Sequence, residues 1–281
     1  MLSENDLKAN LKKYGAEGST RPTEAELDEL ITSMIGHIGT TDSELRDDLI
    51  YSSLAGWIMH EDLISINQCR LIFTTVLDDE HLFYKIGEKE TDSVFTRTFS
   101  VLLLPPLLIR HRNSAYLDES DVQRAKTSML RYLEAEKDRR GYVEGRGWAH
   151  GIAHCADALD DVAQCRELGA GDLGNILTAL KPVIAFREFV YGFGEEERLV
   201  TPVIAIIRCG LVQLEDILNW FSDLGRVVSK ERAIPQKMIV RANIQNFLQS
   251  FYFRLMWSAS DPALLPAIEE LLFEMSPFKG N

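Results

Sequence analysis

The chain has 281 residues, of which 46% are hydrophobic and 26% charged. That is the mixture of a globular protein and excludes a disordered, collagen-like or disulfide-stapled chain. Against 30 lysines and arginines stand 43 acids, and the net charge of −13 opposes nucleic acid and anionic membrane as partners.

Helical periodicity runs through the chain, and alternating β-branched residues are nearly absent. Residues 1 to about 20 read as a polar, peripheral helix without an apolar signal core. Thr23 with Glu26 forms a capping box for a helix to Ile38. Thr41 or Asp42 caps Ser43 to His60, and Asp62 opens a helix to about Leu77. Asp92 or Ser93 opens another to about Leu104; the apolar run Val101–Ile109 contains Pro105 and Pro106 and is too short to span a membrane. Ser120–Lys137 is amphipathic, and Asp138–Gly145 is a loop. A helix follows to about Leu168, and another runs from Gly171-Asp172 to about Phe189. Glu195, Glu196 and Glu197 open a helix that holds Pro202 in its first turns. Gln213–Leu224, Pro235–Trp257 and a last helix from Asp261-Pro262 to about Met275 complete about eleven helices.

Taken in pairs, these helices repeat at close to fifty residues. Similar segments begin near Arg46, Arg97, Trp148 and Arg198. The expected fold is all-α: stacked antiparallel helix pairs in a HEAT-like α-solenoid, an αα-superhelix formed by a single domain over residues 1–281. Four cysteines without a C-x-x-C pair point to a reduced, cytoplasmic protein, with Cys155 a buried thiol.

The segment richest in chemistry is Arg146–Ala163. Stepped round as a helix, Arg146, His150, His154, Asp157 and Asp161 share a stripe about 80° wide. Glycines and alanines flank it, which predicts close neighbouring helices and a polar stripe facing a crevice. Three readings follow. His150 and His154 with Asp157 hold a divalent metal, the one cofactor this set allows and the basis of a metal-assisted hydrolase. Alternatively the stripe binds a small polar or anionic ligand or a peptide, helped by Arg97 and by Arg46, Asp47, Asp48 and Tyr51 from corresponding places in earlier pairs. Or it is an internal network within a protein-interaction scaffold. Arg198 and Arg241 are later candidates for the same lining. An enzyme is the less favoured class: glycine loops for nucleotides and the G-x-S-x-G elbow are absent. His60-Glu61-Asp62 reads as a helix-end charge cluster, and the aromatic run Phe247, Phe251, Tyr252, Phe253 and Trp257 as core or docking face.

The string D-x-R-G-Y-V-x-G-x-G-W-A-H-x-x-A-H-x-A-D, Asp138 to Asp157, resembles the bacterial family called domain of unknown function 2785. Thr41–Leu54 and Arg97–Leu104 support the resemblance, which covers about residues 40 to 170. It implies an all-helical bacterial protein of stacked helix pairs and no particular reaction, substrate or cofactor.

Overall fold

Local signals in the sequence set most helix boundaries. Thr23 accepts from the Glu26 amide while Glu26 returns to the Thr23 amide, so α2 (Glu24–Gly36) begins with the expected capping box. The next cap is Ser65, boxed with Gln68, which starts α4 (Ile66–Val76) three residues later than the sequence predicts. Asp118 and Asp121 box the start of α7 (Glu119–Ala135) in the same way. The computed structural model describes residues 1–15, 22–59, 63–258 and 262–278, so the His60-Glu61-Asp62 cluster lies outside the described residues.

The chain divides into two compact units, Met1–Cys165 and Arg166–Asn281. Both are helical; the described strands amount to one hairpin of two residues a side. In the first unit α1 (Glu4–Gly15) buries Leu7 and Leu11 against α2 and the chain that follows. That chain, Glu44–Tyr51, is π-helical and runs straight into α3 (Ser52–Met59). A π-helical turn is wider than an α-turn, so the 100° stepping used to read a face off the sequence fails across it.

Two further elements of this unit depart from the sequence reading. α5 (Ser93–Leu102) is followed almost end to end by α6 (Leu104–Ser114), a helix the sequence reading leaves out. Pro105 and Pro106 break the apolar run but stand in the first turn of α6, where a missing N–H leaves no bond unmade. Ser93–Ser114 is long and apolar enough for a membrane span, yet 78% of its apolar window is buried inside the protein. The second departure is the hairpin of β1 (Tyr142–Val143) and β2 (Gly147–Trp148), after which α8 runs only from Gly151 to Ala163. α8 packs on α5, α6 and α7, and α6 on α3 and α4. Ala153, Ala156 and Ala158 are fully buried, so the small residues of α8 do permit close helix approach. Cys155 is a buried thiol, its pKa pushed up by desolvation.

The second unit comprises α9 (Ala170–Ile184), α10 (Glu195–Cys209), α11 (Leu214–Lys230), α12 (Gln236–Ser258) and α13 (Leu265–Met275). α12 packs on all four of the others. Phe221 meets Phe251 at 5.1 Å between ring centres and Trp220 meets Phe221 at the same distance, while the Trp220 indole N–H donates to the Leu177 carbonyl at 2.7 Å. The C-terminal aromatic run is therefore split: Phe247 and Phe251 are core, whereas Phe253 and Trp257 are exposed.

Candidate functional site

The hairpin governs the site. Tyr142 and Trp148 face each other across the two strands, ring edge to ring face at 5.2 Å. Gly145 takes the positive φ of +70° that the turn needs, and the Arg146 amide closes it on the Val143 carbonyl at 3.0 Å. The segment from Arg146 to His150 is consequently not helical. Arg146 belongs to the turn, and His150 sits just before α8 with a left-handed φ of 51°. The stripe predicted by helical stepping begins only at His150. Three glycines within seven residues, 145, 147 and 151, were the local signal for this break.

Arg46, in the π-helical segment, fastens the hairpin down. Its guanidinium is fully buried, stacked over Phe95 at 4.2 Å and Phe99 at 4.7 Å. It donates to the Thr40 carbonyl at 2.8 Å and, across a hundred residues, to the Arg146 carbonyl at 2.7 Å. Gly147, with φ +83°, lies so close that a Cβ would stand 2.8 Å from Ser43 Cβ and 3.0 Å from Arg46 Nη2. Asp47 pairs with Arg46 at 2.8 Å and also accepts the Trp148 amide. Burial pushes its carboxyl up to about 6, Arg46 opposes that rise and Asp48 adds to it. The structure thus brings together Asp47, Arg146, Trp148 and His150. Tyr51 ends the same π-helical segment, half-buried.

The two histidines differ. The His150 ring is half-buried and lies flat on Trp148, 4.7 Å away with 20° between planes. His154 is buried at 5% exposure, edge-on to Phe99, with Nδ1 at 3.2 Å from the Thr98 carbonyl. A carbonyl only accepts, so Nδ1 carries the proton in that bond. The rings are 5.8 Å apart, and Asp157 follows one turn later, half-buried. Among the described residues no group of three His, Cys, Asp or Glu side chains is placed to hold a metal ion. Asp161, last of the stripe, is tied to Arg112 at 2.6 Å, and burial lifts its carboxyl to about 6.

Arg97 turns the other way. Its guanidinium, fully buried, holds Glu136 through Nε at 2.6 Å and Nη2 at 3.1 Å, and donates also to the Tyr84 carbonyl and Ser93 Oγ. Glu136 accepts the Asp138 amide at 2.8 Å, while Asp138 holds Arg140 and the Glu90 amide. This run of two guanidinia and two carboxylates is neutral as a whole and braces the loop that enters the hairpin. Glu136 and Asp138 are the members that sequence reasoning overlooked. Acids at the end of an amphipathic helix look like solvated charge unless an arginine 39 residues earlier is known to be buried beside them. Arg198 and Arg241 lie in the second unit.

Residues 82–253 match the model of a family described as "Protein of unknown function (DUF2785)". The chain belongs to this family. Its match takes in the hairpin, both histidines, Arg97 and Glu136, and reaches further towards the C-terminus than the quoted motifs do. Arg46 and Asp47, which anchor the hairpin, precede the matched region. No curated protein and no solved structure matches the chain.

Proposed function

We propose that this member of the DUF2785 family is a binding module whose recognition element is the hairpin 142–150, taking a small polar ligand or a peptide on Trp148 and His150. One observation carries the reading: Trp148 is 40% exposed and lies flat on His150, although the chain beneath it is held by a fully buried arginine. A rigidly mounted, half-open indole offers a face for a planar or cationic group, and Asp47 beside it supplies an acceptor. Arg46 and Arg97 are consumed internally and Arg146 is paired with Asp92 at 2.8 Å, so a polar cationic or neutral ligand suits this face better than an anion. Free thiols at Cys69, Cys155, Cys165 and Cys209 suit a reducing compartment, and the net charge of −13 disfavours nucleic acid.

The test is a thermal-shift and tryptophan-fluorescence screen of amino acids, nucleosides, organic cations and short peptides. Wild type and Trp148→Ala are run side by side. A ligand that stabilises wild type and loses at least about tenfold in affinity in Trp148→Ala supports the reading. Equal responses from the two proteins sink it.

HEAT-like stacking is the arrangement we infer for the helices. Its support within the first unit is that α6 packs on α3 and α4, and α8 on α5, α6 and α7, each pair resting on the one before. In the second unit α12 rests likewise on α9 and α10, and α13 on α11 and α12. A compact chain of this length has a radius of gyration of about 19 Å. Small-angle scattering that returns this value, rather than a clearly larger one, contradicts an extended superhelix.

A further inference from the structure

A second candidate surface lies in the other unit. α12 is apolar on more than one side: Ile244, Phe247, Leu248 and Phe251 are buried, while Phe253, Met256 and Trp257 are exposed. Phe253 and Trp257 stack on each other, 5.9 Å between centres and 28° between planes, with 48% and 79% of their surfaces open. An exposed stacked pair on a helix whose core face is already complete contributes little to that core. The pair forms one wall of an open groove of about 450 Å³.

The opposite wall belongs to the first turn of α10. Glu196 and Glu197 line the groove there, and Gln249 and Arg254 join them from α12. Arg254 is engaged with α10 itself, donating to the Glu197 carbonyl at 3.0 Å and to Thr201 Oγ1 at 3.1 Å. Two carboxylates therefore face one guanidinium already used as a strut. Glu196 Oε2 is buried and makes no hydrogen bond within the protein. Burial raises the Glu196 pKa, its own backbone amide opposes the rise, and Glu195 and Glu197 add to it. The lining on α12 runs from Asn246 to Trp257, about 16 Å along the helix axis, which matches about five residues of extended chain.

We infer that the α10–α12 groove binds a basic, extended peptide segment. Lysine or arginine side chains lie over Trp257 and Phe253 and pair with Glu196 and Glu197. The assignment rests on charge complementarity joined to an exposed aromatic wall. Aromatic faces attract ammonium and guanidinium groups, and the acids opposite exclude an anionic partner. A chain with net charge −13 adds a field that draws such a peptide in. This inference is independent of the hairpin, which belongs to the other unit.

The experiment uses the full chain and fluorescein-labelled pentalysine and penta-arginine, with pentaglutamate as control, read by fluorescence anisotropy. Wild type binds one of the basic peptides and not the acidic one. Trp257→Ala, which leaves the charge untouched, and Glu197→Gln each weaken binding by about tenfold. Glu80→Gln, an exposed acid of the first unit, leaves it unchanged. Circular dichroism checks that the groove variants keep their helical content; both altered side chains are exposed. Failure of wild type to bind either basic peptide overturns the inference, as does equal binding by Trp257→Ala, which would mark diffuse charge attraction. Free L-arginine binding as tightly as the peptides overturns the assignment to a peptide.

Discussion

Replacing Arg97 with methionine separates a ligand-lining arginine from a load carried inside the fold. The side chain is fully buried and serves both oxygens of Glu136, itself fully buried. Removing one member of a buried, hydrogen-bonded ion pair costs about 3–5 kcal/mol, because the other charge is left without its counterion. The Tyr84 carbonyl and Ser93 Oγ lose donors as well, which places Arg97→Met towards the upper end of that range. A unit of this size loses about 2–4 °C of melting temperature per kcal/mol, so the expected fall is about 6–20 °C. The double variant Arg97→Met/Glu136→Leu removes both charges and recovers most of the loss. It stays about 1–2 kcal/mol short, because the buried Asp138 amide then has no acceptor and the Tyr84 carbonyl and Ser93 Oγ still lack their donor. Urea unfolding followed by circular dichroism, run as a double-mutant cycle, measures the coupling directly. A single-variant cost below about 1 kcal/mol, or a double variant as unstable as the two singles summed, refutes the argument.

The remaining expectations concern the hairpin and its supports. His154→Ala lowers stability by about 2 kcal/mol through the lost bond to Thr98 and the cavity left beside Phe99, whereas His150→Ala, at a half-buried position, changes it by less than about 1 kcal/mol. Paired urea titrations check this, and equal costs contradict the division of roles. Gly147→Ala costs about 2 kcal/mol or more, from a strained φ of +83° and the clash with Ser43 and Arg46; an unchanged melting temperature contradicts the docking of the hairpin. Asp47 has a folded pKa of about 6, above its unfolded value near 4, so it binds its proton more tightly when folded. Its stabilising share is present below about pH 4 and lost as the pH rises through 6. Relative to Asp47→Asn, wild type therefore loses about 1–2 kcal/mol between pH 4 and 7, allowing for partial exposure of the carboxylate. A difference independent of pH contradicts the burial of Asp47.

Much of the helical architecture was legible in the sequence because caps are local chemistry. Thr23 with Glu26, and the acids that open α10, signal their helices through neighbours three or four residues away. The site was less legible. Helical stepping carried Arg146 onto the face of His150 and His154, since nothing in a one-dimensional period announces a hairpin of two residues a side. The motif from Asp138 to Asp157 spans the hairpin and the start of α8, a geometry that helical stepping misread. Arg46 and Arg97 looked like lining residues because arginine is seldom fully buried. Their burial depends on partners 100 and 39 positions away, Arg146 and Glu136, which no local pattern reveals. Phe253 and Trp257 shared a helical spacing with core aromatics, and only packing separates the two sets.

The bond from Arg46 to the Arg146 carbonyl also sets an order of events in time. A ribosome adding about 5–20 residues per second needs about 5–20 s to travel between those two positions. Throughout that interval the guanidinium has Thr40 and Asp47 but lacks its closing carbonyl, and Phe95, once made, still awaits Val143 and Ala149 of the hairpin segment. A nascent chain arrested before Gly147 should accordingly stay open to protease around Glu44–Tyr51, and resistance there would contradict this sequence of steps. The hairpin behaves as a late bolt: the far end of the first unit has to be synthesised before its beginning can shut.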